Sequence, residues 1–371
     1  MDDKKLIMQM AFARAKGLGP IRSRELLAHF GSVEAIFSQT EASLSRLVGK
    51  AVAAEIFSQK NAEFVAKELR FLQANGVQIS FLGDKDYPFR LRECADAPIL
   101  YFYKGNCSLN SPKMLAVVGT RHITDNGRQF TRHIIAELAQ RHPDLVIVSG
   151  LAYGVDVEAH KAALDCGLAT IGVMATGFDR LYPTAHRNVA SQMKEQGGLL
   201  SEHFRGDPLV PGCFVSRNRI IAGMCDAVLV VESAVDGGAL TTADIANSYS
   251  REVLAVPGRP TDTYSEGCNQ LIKQNKAALA TSADDVDYLL GWTSAKAPVS
   301  QSSTFPELNQ PDLSEPEMTV IAEIRKQGPI DQSAIANLLS LSIPQVSSLL
   351  FNMEMRGLVH RIPGNLFAIG K

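Results

Sequence analysis

Apolar positions along this chain fall into three regimes. Over roughly the first eighty residues they recur at helical spacing: Leu6, Met10 and Ala13 begin one stripe, and Phe64, Leu69 and Leu72 carry another. From about residue 81 to 291 the spacing changes to short, near-continuous apolar runs separated by amphipathic stretches. These are "LAVVG" (115–119), "LVIVSG" (145–150), "ATIGVM" (169–174), "AVLVVE" (227–232) and "EVLAVPG" (252–258). Such runs suit parallel strands buried on both faces, and right-handed crossovers between them predict an α/β fold, a Rossmann-like doubly wound sheet. Residues 292–315 are rich in Ser and Pro and read as a linker. Residues 316–371 read as helices followed by a short hairpin, "HRIPGNLFAI", the outline of a winged helix. The expected plan is thus a helical domain (1–80), a sheet core (81–291), a linker and a winged helix.

Composition narrows the function classes. Hydrophobic residues make up 46% and charged residues 20%, with a net charge of −2, so any nucleic-acid site must be a local patch. The six cysteines, Cys94, Cys107, Cys166, Cys213, Cys225 and Cys268, form no CxxC pair and read as free thiols rather than zinc ligands or a disulfide framework. The N-terminal stretch "MDDKKLIMQMAFARAKG" is too charged for a signal peptide, and no run approaches the ~20 apolar residues of a membrane span. A soluble, cytoplasmic protein is expected.

Three loops follow strands and carry glycines or small residues: "VVGTRHITDNG" (117–127), "VSGLAYGVDVEAH" (148–160) and "VESAVDGGALTTADIA" (231–246). Strand carboxyl ends share one edge of such a sheet, so these loops share one crevice, where backbone amides can approach an anion. None is G-x-G-x-x-G or a P-loop, so neither a dinucleotide nor a nucleoside triphosphate is supported, and no cofactor is expected. Arginines gather in the same region: Arg121, Arg187, Arg217 and Arg219. If Ser216 caps a helix, Arg217 and Arg219 occupy its first and third positions, where the helix dipole disfavours cations. They would then await an external anion, or else fork to a carboxylate such as Asp226 or Glu232. Tyr153, Phe178, Tyr182 and Phe214 interleave with these cations, a mixture that suits single-stranded nucleic acid, although each also reads as a core side chain.

Asp156 and His160 lie four apart at a helix start, a spacing open to a general-base or metal role. The plainer reading is a helix cap and a loop hydrogen bond, with no metal site. In the first region, "GLGPIRSRELLAHFGS" (17–32) places Gly-x-Gly between helices, either a phosphate-gripping hairpin or a plain turn. The second helix of the tail, starting near Pro344, carries only Glu354 and Arg356 as charges, too few to neutralise a phosphate backbone. A protein-interaction or auxiliary role suits it better.

On "VVGTR", "VSGLAYGVDVEAHKAAL", "ATGFDRLYPTAHRNVA", "GGLLSEHF", "SRNRIIAG", "GGALTTADIA" and "VLAVPGRP", in this order, the chain resembles the DNA-processing protein A (DprA, or Smf) family. The resemblance implies a Rossmann-like core that binds single-stranded DNA, an N-terminal domain of the SAM or helix-hairpin-helix sort and a C-terminal winged helix. It also implies a homodimer that protects incoming strands and helps load RecA in natural transformation, without catalysis. Thr120 and Arg121 match the family's Gly-Ser/Thr-Arg loop, and Arg217, Asn218 and Arg219 match its Arg-Asn-Arg. Asn126-Gly127 stands where the family commonly has Tyr-Gly. The candidate DNA-binding residues are Gly119, Thr120, Arg121, Ser149, Gly150, Gly154, Arg187, Arg217, Asn218, Arg219, Gly237 and Gly238. Two rivals remain open. The "DGGALTTADIA" loop with the following "VPG" is also similar to Rossmann-like nucleotide phosphoribohydrolases, in which case Arg121 and Arg217 would bind a nucleotide and Glu232 or Asp236 would do acid–base work. The other rival is a protein scaffold with a vestigial core site.

Overall fold

The computed structural model describes residues 3–292, 314–328, 330–356, 358–362 and 366–369. The chain divides into two compact units, Met1–Ser294 and Ala295–Lys371. Most of the expected linker, 292–315, lies outside the described residues.

The first unit opens with six helices: α1 (Asp3–Arg14), α2 (Pro20–Phe30), α3 (Val33–Phe37), α4 (Glu41–Val48), α5 (Lys50–Ile56) and α6 (Gln59–Ala74). Ser32, Thr40 and Ser58 start α3, α4 and α6 by accepting hydrogen bonds from backbone amides three residues on. The apolar stripe seen in sequence is the buried face: Met10, Leu69 and Leu72 pack with Ile36 and Leu44, and with Phe102 and Phe204 from the sheet region. Buried Glu68 of α6 adds an ion pair to Arg205 at 3.2 Å. The helices are therefore packed directly onto the α/β core.

That core continues as β1 (Gln78–Phe81), α7 (Phe89–Glu93), β2 (Leu100–Gly105), β3 (Met114–Val118), α8 (Asp125–Arg141), β4 (Val146–Ser149), α9 (Val155–Asp165), β5 (Ala169–Val173), α10 (Arg187–Glu195) and β6 (Gly197–Ser201). It closes with α11 (Pro211–Met224), β7 (Ala227–Val230), α12 (Gly238–Ser248), β8 (Glu252–Ala255), α13 (Thr263–Lys273), β9 (Ala278–Leu279) and α14 (Ala283–Leu290). The nine strands lie in the order β1-β2-β6-β5-β4-β3-β7-β8-β9. From β6 to β9 all neighbours are parallel, while β1 and β2 add an antiparallel edge. The chain starts its parallel part at β3 in the middle, winds outward through β4, β5 and β6, then returns to β7 and winds the other way. This is the doubly wound plan, and it leaves a crevice beyond the carboxyl ends of the central strands, where the winding reverses. The five apolar runs are β3, β4, β5, β7 and β8, and every residue of β3, β4 and β7 is buried.

One helix start departs from the sequence reading. α11 begins at Pro211 and not after Ser216. Pro211 sits in the first turn, where its missing N–H costs nothing, and Val210 supplies the extended residue before it. Arg217 and Arg219 are therefore mid-helix, and the argument from a mismatched helix dipole does not apply to them.

The second unit runs α15 (Glu315–Gln327), β10 (Ile330–Asp331), α16 (Gln332–Leu339), α17 (Ile343–Met355), β11 (Val359–Ile362) and β12 (Leu366–Ile369). Its three strands pair in the order β10-β12-β11. Helix, strand, two helices and a two-stranded wing is the winged-helix order. Its core is formed by Val320, Ile324, Ile335, Val346, Leu350 and Met353. Among the described residues, no single helix is long and apolar enough to cross a membrane.

Candidate nucleic-acid interface

The loops after β3, β4 and β7 meet at the reversal point, as the parallel topology requires. With α11 and the start of α12 they enclose an open cleft of about 510 Å³. Seven of the twelve candidate residues line it: Gly119, Thr120, Arg121, Arg217, Asn218, Gly237 and Gly238. Gly150 lines a narrow extension between Arg121, Tyr182 and Phe214. Gly154 begins α9, and the adjacent Val155 amide donates to Thr120 O at 3.1 Å, locking the first two loops together. The N-terminus of α12, at Gly237–Gly238, is on the cleft wall, so its partial positive charge serves an anion there.

Three candidates are placed elsewhere: Ser149, Arg187 and Arg219. Ser149 is fully buried, and its hydroxyl donates to Val117 O at 2.6 Å. It braces β4 against β3 and does not line the cleft. Arg187 is exposed in the first turn of α10 and is not part of the cleft lining.

The arginines divide by role. Arg217 is only 4% exposed and forms the cleft floor. Its Nη1 donates to Gly150 O at 2.5 Å and to Val173 O, so one guanidinium ties the carboxyl ends of β4 and β5 together. Gly150 is required for this seat, because a Cβ there would collide with the guanidinium. The Nε of Arg217 is buried with no hydrogen-bond partner among the described residues. Burial pulls the Arg217 pKa down to about 10, against the opposing attraction of Asp156 and with a further lowering from Arg121. It stays protonated at neutral pH. Asp156 accepts from Gly150 N at 3.1 Å, and burial raises its carboxyl above the ordinary range, against the pull of Arg217. Arg219 instead pairs with Glu202 just past β6.

Neither carboxylate considered from sequence as an arginine partner serves Arg217 or Arg219. Asp226 is held by Arg90, with Nε to Oδ1 at 2.7 Å and Nη2 to Oδ2 at 3.0 Å. Glu232 is held by Thr124. Arg121 is the exception among the cleft cations. It is exposed, carries no hydrogen bond or ion pair among the described residues, and its guanidinium lies over the Phe214 ring at 5.3 Å.

Phe214 is half-buried and faces the cleft rather than the core. Its other neighbour is exposed Tyr182, edge-on at 5.6 Å. Arg121, Phe214 and Tyr182 therefore form a continuous cation–aromatic shelf. Tyr153 is also exposed, beside His186 at 4.9 Å, whereas Phe178 packs into the core. His122 and Tyr264 were not picked out from the sequence. They stack at 6.1 Å with their planes 23° apart, and both line the cleft. Tyr264 arrives from the first turn of α13, too far along the chain for loop spacing to reveal it.

Asp156 and His160 are structural, but not as a helix cap and a loop contact. α9 is capped at Gly154 with no side-chain hydrogen bond, Asp156 sits in the first turn and braces the β4 loop through Gly150 N, and His160 reaches strand β5. His160 is fully buried, with Nδ1 2.7 Å from the Thr170 hydroxyl, which itself donates to Ile147 O. Burial lowers its pKa to about 3, so the ring is neutral. Among the described residues no cluster of three or more His, Cys, Asp or Glu side chains is arranged to hold a metal.

Residues 78–290 match the family model for DNA recombination-mediator protein A, and residues 313–365 match that of the MarR family. The chain is 31% identical to protein Smf of Synechocystis over 96% of each chain. It is 42% identical to DNA processing protein DprA of Streptococcus pneumoniae over 55% of this chain and 71% of that one. The X-ray structure of S. pneumoniae DNA processing protein A superposes with a TM-score of 0.67 at 33% identity, covering 76% of this chain and 96% of that one. A Helicobacter pylori DNA processing protein A structure, described for its single-stranded DNA binding mode, superposes with a TM-score of 0.52 at 28% identity, covering 58% and 98%.

Proposed function

This chain belongs to the DNA recombination-mediator protein A family, and on that premise we propose that it binds single-stranded DNA in the cleft at the carboxyl edge of its sheet. The observation that carries the reading is Arg121: an exposed cation over Phe214, unpaired among the described residues, at the mouth of a cleft floored by buried Arg217. A phosphate would meet Arg121, the amides of the β3 loop and the α12 N-terminus, while unpaired bases stack along Phe214 and Tyr182. The likeness to the H. pylori protein, whose structure shows a single-stranded DNA binding mode, supports this. Backbone contacts of this kind give little sequence preference and strong salt dependence.

The finer reading is a cytoplasmic, homodimeric mediator that protects incoming strands and helps load RecA during natural transformation, without chemistry of its own. The N-terminal helices would be its SAM-like or helix-hairpin-helix-like domain. Exposed Ile343, Phe351 and Met355 on α17 support a protein partner for the winged helix, since a helix reading phosphates would present cations. Both carboxylate oxygens of Glu232 are taken by Thr124, which weighs against an acid–base role for it.

The test is direct. The protein is mixed with labelled oligo(dT), with duplex of the same length, and separately with nucleoside monophosphates. Preferential oligo(dT) binding, RecA filament assembly accelerated on that strand and no release of free base are expected. Release of free base from monophosphates without polynucleotide binding would overturn the reading in favour of a nucleotide-processing enzyme.

A further inference from the structure

Glu232 follows β7 and is only 8% exposed. It lines a second cleft, of about 640 Å³, on the α8 and α13 side of the sheet edge. Its backbone carbonyl accepts from Thr120 N at 2.7 Å. Its carboxylate accepts from Thr124 N at 2.9 Å and from the Thr124 hydroxyl at 2.5 Å. One residue therefore pins both feet of the five-residue arch 120–124, and Arg121 stands on that arch. The Thr124 side chain in turn caps α8 by accepting from Gly127 N at 3.1 Å. A Cβ at Gly127 would meet the Glu232 carboxylate, so the glycine is what admits this anion to the first turn of α8.

The first helix of a doubly wound sheet is where an external phosphate is held when such a fold binds a nucleotide. Here that position already contains an anion of the chain's own, and the helix dipole favours it. We propose that Glu232 is the positioning residue of the DNA-contacting loop: its carboxylate is a resident anion that fills the α8 N-terminus and staples the 120–124 arch, so that Arg121 faces the cleft. External phosphates are thereby confined to the α11 and α12 side. The DNA part of this inference rests on the proposed function; the staple itself does not.

Two readouts separate them. Hydrogen exchange of the amides in 119–127 needs no DNA and reports the staple; oligo(dT) affinity reports its use. Glu232→Ala should speed exchange across the arch and weaken oligo(dT) binding about tenfold, the scale of one lost charge-assisted contact. Formate added at constant ionic strength should restore both, because a small carboxylate can enter the vacated place. Glu232→Gln keeps the shape without the charge and should fall between the two, also serving if the alanine variant does not fold. Wild-type exchange in Glu232→Gln, or losses in Glu232→Ala that formate leaves unchanged, would overturn the resident-anion role. If the wild-type protein itself fails to bind oligo(dT), the proposed function falls, and the exchange data still decide the staple.

Discussion

Replacing Arg217 by alanine should unfold this protein before it reports on DNA. The side chain is 4% exposed, and its Nη1 serves the carbonyls of Gly150 and Val173. Removing it orphans two buried acceptors and leaves Asp156, itself 7% exposed, without its nearby positive charge. Breaking a buried charge arrangement in this way costs about 3–5 kcal/mol, a large part of a domain's stability. The cost also has a pH signature. Burial already raises the Asp156 carboxyl, and loss of Arg217 raises it further. A carboxyl whose folded pKa lies above its unfolded value is no burden below the unfolded pKa, and stability falls as pH rises through the folded one. Arg217→Ala should therefore be most destabilised at neutral pH and partly recover in mild acid. Asp156→Asn added to Arg217→Ala should regain part of the loss, since the pair interacts. Urea unfolding of wild type, both single variants and the double variant measures all of this. Arg217→Ala within about 1 kcal/mol of wild type, with no dependence on Asp156, would refute the placement of Arg217 as a buried brace.

Three further outcomes follow from the same geometry. Gly150→Ala should displace the Arg217 guanidinium and lower the urea midpoint, even though it only adds a methyl group. Phe214→Ala should weaken oligo(dT) binding by about 1–3 kcal/mol, as expected for a lost stacking partner, measured by fluorescence anisotropy. His160, with a folded pKa of about 3, stays neutral while the unfolded chain takes up a proton near pH 6.5. The wild type should thus lose up to about 2 kcal/mol between pH 6.5 and 5 from this residue. His160→Gln should not show that share, so the gap in melting temperature between the two should narrow on acidification.

Much of the architecture was legible because buried parallel strands leave unmistakable apolar runs. β3, β4, β5, β7 and β8 all rise from such runs. β6 was missed because it opens Gly197-Gly198, and glycine weakens any strand pattern. The second glycine is there because the Tyr103 ring leaves no room for a side chain. β1 and β2 were missed as strands for another reason: they are an antiparallel edge lying before the repeating parallel part.

The candidate site was legible as a set of loops and only partly as individual residues. Loop positions follow from topology, so seven candidates do line one cleft. Which arginine is free depends on side-chain direction. Once α11 is started at Pro211, Arg217 and Arg219 are two residues apart in mid-helix and point about 200° apart. They cannot both face the same cleft, and in the structure one floors it while the other pairs with Glu202. Starting the helix at Ser216 put both arginines in a first turn, where the helix dipole and not their angular separation governed the reading. The stack of His122 on Tyr264 depends on a contact between distant segments, which no local pattern records.

The most direct test of the central claim is the salt dependence of oligo(dT) binding in Arg121→Ala. The residue is exposed and makes no internal hydrogen bond or ion pair among the described residues, so the variant should melt at the wild-type temperature. Anisotropy titrations across a range of salt concentrations should show weaker binding, with the slope of log K against log salt shallower by about 0.7 for the one phosphate contact removed from a single strand. Unchanged affinity and slope in a folded Arg121→Ala protein would contradict the claim that this cleft holds the strand.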